Sequence, residues 1–117
     1  MTVKRIVANI ASDAVEPVKR FYEDLFGLET VMDLGWIATL AAPATPNVQI
    51  SIASEGGSGT PVPDMSIEVD DVDVIHVRAQ EMGLEIVYGP ADEPWGVRRF
   101  YVRDPAGKLL NILSHSA

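Results

Sequence analysis

The sequence feature that most constrains the fold is an internal repeat. The pentapeptide GLETV begins at Gly27 and GLEIV begins at Gly83, 56 positions further along the chain. Each pentapeptide follows a helix-like segment and opens a strand-like segment, so the two matches share their structural context. A chain of 117 residues has the length of one domain. The repeat therefore predicts one domain built from two copies of a single module.

Both halves of the chain show the order strand, helix, three strands. Asp13 and Glu16 have the spacing of a reciprocal helix cap, and Asp70 or Asp71 is the equivalent cap in the second half. Gly27 and Gly83 are placed to end the two helices. Apolar periodicity predicts strands over residues 4–11, 29–33, 36–41, 48–53, 65–69, 85–88, 97–103 and 108–114. The segment from Tyr88 to Gly96 has the composition of a loop.

This order predicts an α+β fold of two βαβββ modules within a single domain covering residues 1–117. Module one spans 1–54, a Gly/Pro/Ser-rich linker spans 55–63, and module two spans 64–117. Each half-sheet is covered on one face by its helix. We expect the other two faces to enclose a cleft, where ligand sites are favoured.

Composition excludes several functional classes. The chain has no cysteine, which removes disulfides, thiolate metal ligands and cysteine nucleophiles. Its net charge of −8 argues against a nucleic-acid partner. No apolar run approaches the length of a membrane span, and the N-terminus lacks the pattern of a signal peptide, so we expect a cytoplasmic protein without a membrane partner. No phosphate-binding loop, dinucleotide fingerprint or Ser-His-Asp set is present.

Three segments carry a resemblance to a known family. FYEDLFGLE (21–29), MSIEVDDVD (65–73) and WGVRRFYVRDPAGKLLNIL (95–113) together resemble the vicinal oxygen chelate superfamily, which contains glyoxalases, bleomycin-resistance proteins and extradiol dioxygenases. The resemblance implies paired βαβββ modules that form a U-shaped cleft, often in a homodimer. It also implies a small-molecule ligand in that cleft.

The resemblance further implies where metal ligands would lie. The family's metal enzymes use His or Glu from the first strand of each module and Glu from the last strand. The corresponding positions here are Ile6 or Val7, Asp64 and Asn111, with Gln49 or Ser51 as a further position in the first module. One carboxylate with neutral amides is a poor set for a divalent transition ion. We therefore expect no metal and no other cofactor.

Two functions follow from this resemblance. The first is a glyoxalase/bleomycin-resistance-like protein that binds a small molecule without a metal ion. The alternative is a lyase, isomerase or dioxygenase-type enzyme, with Asp64 or Glu68 as base and Arg99 or Tyr101 stabilising a developing oxyanion.

Alternation along the strands assigns most of the candidate ligand-binding residues to the cleft side. It places Ile6, Ala8 and Ile10 in the first core, and Ile67, Val69, Phe100, Val102, Leu110 and Ile112 in the second. Trp95 is a candidate as an aromatic residue on a loop, and Trp36 as the start of a strand that lines the first module. The candidate site residues are Asn9, Trp36, Gln49, Ser51, Asp64, Ser66, Glu68, Trp95, Arg99, Tyr101 and Asn111. Structural alternatives exist for several: Asn111 could bond a neighbour or a buried water, Glu68 and Arg99 could form an ion pair, and Trp95 could close the core.

Overall fold

The computed structural model describes residues 1–116 and contains two helices and eight strands in an α+β arrangement. Both modules have the order βαβββ that the repeat predicts. The elements are β1 (Val3–Ala11), α1 (Val15–Phe26), β2 (Glu29–Asp33), β3 (Ile37–Ala42), β4 (Thr45–Ala53), β5 (Met65–Val69), α2 (Val72–Glu81), β6 (Ile86–Glu93), β7 (Val97–Arg103) and β8 (Leu109–His115). Within residues 1–116, neither helix has the length and apolar character needed to cross a membrane.

The chain divides into two compact units. The first unit is Val7–Val62, and the second unit combines Met1–Ile6 with the residues from Pro63 onward. Strands of the first unit lie in the order β2-β3-β4-β1, with β1 belonging to this unit from Val7 onward, and those of the second in the order β5-β8-β7-β6. In each unit the module's first strand pairs in parallel with its last strand, β1 with β4 and β5 with β8. The other strand pairs within the units are antiparallel.

The core of the first unit lies between α1 and one face of its strands. Ala38, Leu40 and Ile52 are completely buried there. The residues that pack against them are three from α1 and three from outside it, namely Val15, Val18, Tyr22, Ile10, Leu28 and Ile50. The prediction that Ile6 and Ala8 join this core is wrong, because both residues are exposed. The cluster that contacts α1 includes only Ile10 from β1, which lies near the end of that strand.

The core of the second unit lies between α2 and one face of the strands β5, β6, β7 and β8. Phe100, Val102 and Ile112 form its centre together with three residues contributed by β5 and α2, namely Val69, Val72 and Ala79. Ile67 and Leu110 pack against this cluster. The core assignment made from alternation is therefore confirmed for this unit.

Residues expected to form a loop after Tyr88 are instead part of strand β6. This strand runs from Ile86 to Glu93 and pairs with β7, with register shifts on both sides of Tyr88. β6 lies at the edge of the strand order, where a bulge accommodates Pro90 without removing a ladder hydrogen bond. Gly89 has a φ of +77°, and a Cβ at that position would lie 2.6 Å from the carbonyl oxygen of Arg99. The bulge therefore requires glycine at this point.

Candidate functional site

One face of the second unit carries most of the polar residues that alternation predicted for a site. We call it the polar face, defined by Ser66, Glu68, Arg99, Tyr101 and Asn111. It is the face opposite α2, because the residues that alternate with these, including Phe100 and Ile112, pack under the helix. Asn111 occupies its centre, since β8 pairs with β5 on one side and with β7 on the other. Ser66 and Tyr101 are its direct neighbours across these two strand pairs.

Only one of the two polar atoms of the Asn111 side-chain amide has a hydrogen-bond partner. The residue is 9% exposed, and its Nδ2 donates a hydrogen bond of 3.1 Å to Ser66 Oγ. Its Oδ1 is buried and accepts no hydrogen bond from any group of residues 1–116. An unpaired buried acceptor costs about 1–3 kcal/mol. Such an atom on an otherwise well-paired face marks a position where a donor is missing.

Arg99 and Glu93 form a buried ion pair on the polar face. Their side chains are 3% and 4% exposed, and Arg99 Nε and Nη2 lie 2.7 Å and 2.6 Å from Glu93 Oε2. Arg99 Nη1 also donates to the Tyr101 hydroxyl at 3.0 Å. Tyr88 Oη donates to the Glu93 carboxylate at 3.2 Å. Removing either charge would leave the other buried without compensation.

Three aromatic rings surround the Arg99 guanidinium. Its Cζ lies 4.9 Å from the centroid of the Trp95 ring, 5.0 Å from that of Tyr101 and 5.4 Å from that of Tyr88. These distances are within the range of cation–π attraction. Trp95 stands in the hairpin turn between β6 and β7, where Gly96 N donates to Glu93 O. The turn thus brings the indole ring to the guanidinium.

Glu68 is the third ionised side chain on the polar face and is also paired. Its carboxylate lies 2.9 Å from Arg5 Nε and 2.8 Å from His115 Nδ1. Burial raises the pKa of Glu68. The hydrogen bond from His115 and the charges of His115 and Arg5 lower it by more than burial raises it, so the pKa of Glu68 lies below its ordinary value. The Glu68–Arg99 ion pair, one of the structural alternatives for these residues, does not form, since each residue has a different partner.

Asp64 lies just before β5 and has a backbone role. Its Oδ2 accepts a hydrogen bond of 2.8 Å from Leu109 N, and its own N–H donates to Leu109 O at 2.8 Å. These two bonds join the start of β5 to the start of β8. The carboxylate is thus committed to the main chain at one end of the strand pair, whereas Asn111 lies further along β8.

The first unit carries a second, smaller polar row. Ser51 lies beside Asn9 on β1 and beside Thr39 on β3. Thr39 Oγ1 and Ser51 Oγ are 2.7 Å apart and both residues are buried. Gln49 donates to Pro46 O at 2.9 Å, so its amide bonds within its own strand. Trp36 precedes β3, and its carbonyl accepts from Ser54 N.

The structure brings six of the candidate residues together on or beside the polar face: Ser66, Glu68, Trp95, Arg99, Tyr101 and Asn111. Asn9, Trp36, Gln49 and Ser51 lie in the first unit. Sequence reasoning missed Glu93, because the segment that contains it was interpreted as a loop. Thr39 was also missed, although it is the polar residue between apolar Ala38 and Leu40.

The residues at the implied metal positions do not fit a divalent ion. Val7 is apolar, Gln49 and Asn111 are neutral amides, and the Asp64 carboxylate accepts a main-chain hydrogen bond. Across residues 1–116, no three His, Cys, Asp or Glu side chains are grouped so that they could hold a metal ion.

Comparison with known proteins relates the sequence and fold to one superfamily. Residues 4–112 match the family model described as the Glyoxalase/Bleomycin resistance protein/Dioxygenase superfamily. No curated protein gives a significant match.

Solved structures share the fold over nearly the whole chain. A Vibrio splendidus 12B01 member of the glyoxalase/bleomycin resistance protein/dioxygenase superfamily has a TM-score of 0.67 at 16% identity, covering 97% of this chain and 99% of its own. Methylmalonyl-CoA epimerase from Mycobacterium tuberculosis gives 0.68 at 17% identity, covering 98% and 88%. A Legionella pneumophila protein described as NAD-dependent benzaldehyde dehydrogenase gives 0.77 at 16% identity, covering 95% and 99%. Identities this low establish a shared fold alone.

Proposed function

Because the chain belongs to the Glyoxalase/Bleomycin resistance protein/Dioxygenase superfamily, we propose that it binds a small organic molecule on the polar face without a metal ion. The observation that carries this proposal is the buried, unpaired Oδ1 of Asn111. A ligand that supplies the missing donor would recover much of the free energy lost to the unpaired acceptor.

The surroundings of Asn111 support binding over acid–base catalysis. An isomerase or lyase requires a carboxylate or imidazole that is free to accept a proton from the substrate. Asp64 is bonded to Leu109 N, and Glu68 is paired with Arg5 and His115, with its pKa lowered as described above. Arg99, the candidate for oxyanion stabilisation, is neutralised by Glu93. These contacts favour a recognition surface.

The donor set supports metal independence. The two glutamates of the polar-face region, Glu68 and Glu93, both have cationic partners, and Asn111 contributes only a neutral amide. Binding a divalent ion there would require breaking one of these ion pairs.

The experiment is a fragment screen by saturation-transfer NMR on the full chain after dialysis against EDTA. The test variant is Asn111→Leu, and the matched control is Asn47→Leu, which changes an exposed asparagine on β4. We expect fragments that bind wild type and Asn47→Leu but lose their signal with Asn111→Leu. Thermal unfolding of all three proteins checks that they are folded.

Two results would overturn the proposal. One is a screen in which every hit binds wild type and Asn111→Leu equally. The other is a set of Asn111-dependent hits that appear only after zinc, manganese, nickel or iron is added, because this would show that the site needs a metal ion.

A further inference from the structure

The polar face also indicates which class of molecule it binds, an inference that rests on the proposed function. We infer that the ligand is uncharged and presents an N–H or O–H donor to Asn111 Oδ1, as a carboxamide or lactam does. The inference comes from the hydrogen-bonding state of Asn111 and from the charge balance around it.

The hydrogen-bonding state requires a donor. Asn111 Nδ2 already donates to Ser66, whereas Oδ1 accepts nothing from residues 1–116. A group that can only accept hydrogen bonds could pair only with the second hydrogen of Nδ2, and it would leave Oδ1 unsatisfied. Oδ1 has almost no exposed surface. Binding therefore includes a side-chain movement that uncovers it, and the new hydrogen bond favours the uncovered state.

The charge balance disfavours an anionic ligand. Arg99 and Arg103 both lie two positions from Tyr101 on β7, which itself lies opposite Asn111. The Arg99 guanidinium is held by Glu93 at 2.6–2.7 Å and by Tyr101 Oη at 3.0 Å. Arg103 pairs with Glu85 at 3.8 Å and donates to Gly107 O at 3.1 Å. Arg5 is likewise held by Glu68. An anion entering this face would meet no uncompensated positive charge and would lose its hydration.

The same balance disfavours a cationic ligand. The carboxylates of Glu93 and Glu68 are committed to Arg99, Arg5 and His115. The rings of Trp95, Tyr101 and Tyr88, which would otherwise attract a cation, already surround the Arg99 guanidinium. A second positive charge would be repelled by the first. A neutral donor remains the chemistry that satisfies the face.

The test uses four probes with one ring and different head groups. Benzamide is a neutral donor, benzoate is an anion, benzamidinium is a cation, and N,N-dimethylbenzamide is a neutral acceptor without a donor. Each is titrated into the full chain after EDTA dialysis, and the Asn111 side-chain amide signals are followed by ¹H–¹⁵N NMR. We expect benzamide to shift these signals and to bind at least about tenfold more tightly than the other three.

Two variants separate recognition from folding. Because neither variant has the Asn111 side-chain amide, binding to them is followed by the backbone amide signals of Ser66 and Tyr101, the strand neighbours of position 111. Asn111→Leu should weaken benzamide binding at least about tenfold. Asn111→Asp keeps a similar shape but adds a negative charge, and we expect it to reverse the preference from benzamide to benzamidinium. This reversal is a gain of binding that a misfolded protein cannot produce.

The outcomes distinguish this inference from the function on which it rests. Preference of the wild type for benzoate, benzamidinium or N,N-dimethylbenzamide, with shifts at Asn111, would overturn the inference and leave small-molecule binding in place. No shift at Asn111 with any probe would overturn the inference. If the fragment screen also gives no Asn111-dependent hit, the proposed function is overturned as well.

Discussion

The substitution Glu93→Gln tests the central electrostatic feature of the polar face. It removes the negative charge from a pair whose side chains are 3% and 4% exposed, and it leaves the Arg99 guanidinium buried. Breaking a buried ion pair in this way typically costs about 3–5 kcal/mol. Glutamine retains one acceptor oxygen, so we expect the lower end, about 3 kcal/mol. This is a large part of the roughly 5–15 kcal/mol by which domains are stable.

The assay is urea unfolding at equilibrium, followed by tryptophan fluorescence and circular dichroism to verify two-state behaviour. The neighbouring residue provides the control. Asp92→Asn removes a carboxylate that pairs with Arg98 on the surface, where the Asp92 side chain is 74% exposed. We expect this control to change the free energy of unfolding by less than about 1 kcal/mol.

The single variant Arg99→Met and the double variant Arg99→Met/Glu93→Gln complete the experiment. The double variant removes both charges, so its loss of unfolding free energy should be smaller than the sum of the losses of the two single variants by roughly 1–3 kcal/mol. Equal effects of Glu93→Gln and Asp92→Asn, or strict additivity in the double variant, would refute the conclusion that the Arg99–Glu93 pair is buried and coupled.

Three further predictions concern the bulge, the pH response and assembly. Gly89→Ala should lower the free energy of unfolding by about 1–3 kcal/mol more than Gly35→Ala. Both glycines have positive φ, but only at Gly89 would a Cβ meet a backbone oxygen at 2.6 Å; equal losses in urea unfolding would contradict this. The stability advantage of wild type over Glu68→Gln should be present above the ordinary glutamate pKa of about 4.3 and lost as pH falls through the lowered pKa of folded Glu68. An advantage that stays constant as urea titrations are repeated at successively lower pH would contradict this prediction. The resemblance implies a homodimer, so light scattering should give twice the mass of one chain. A single-chain mass at micromolar concentration would rule the homodimer out.

Helix capping shows how local chemistry succeeds at one helix and fails at the other. Asp71 caps α2 as one of the two predicted residues, accepting from Asp73 N and Val74 N. Asp13 does not cap α1, whose N-cap is Ala14 without a side-chain hydrogen bond. Ser12 Oγ accepts from Ala14 N instead. Both helices have an aspartate near their start. The path of the chain before each helix decides which side-chain oxygen accepts a hydrogen bond from the backbone N–H groups there.

The sequence by itself determined the repeated βαβββ order and the side of each second-unit strand that faces its helix. Periodicity of two along a strand and of 3.6 along a helix depends only on backbone geometry, so it can be recognised without tertiary contacts. Placement of Ser66, Arg99, Tyr101 and Asn111 on the face opposite α2 followed from that alternation. Strand pairing then made Asn111 the neighbour of both Ser66 and Tyr101.

Only the tertiary structure decided which partners these side chains have. The pairing of Arg99 with Glu93 depends on the β6–β7 register and on a bulge at Gly89. The composition of this segment is typical of a loop, so neither the register nor the bulge could be predicted from it. The pairing of Glu68 with Arg5 and His115 joins residues far apart in the chain. The unpaired Oδ1 of Asn111 is likewise a property of the assembled face, because a hydrogen bond that is missing can be recognised only when all neighbouring groups are in place.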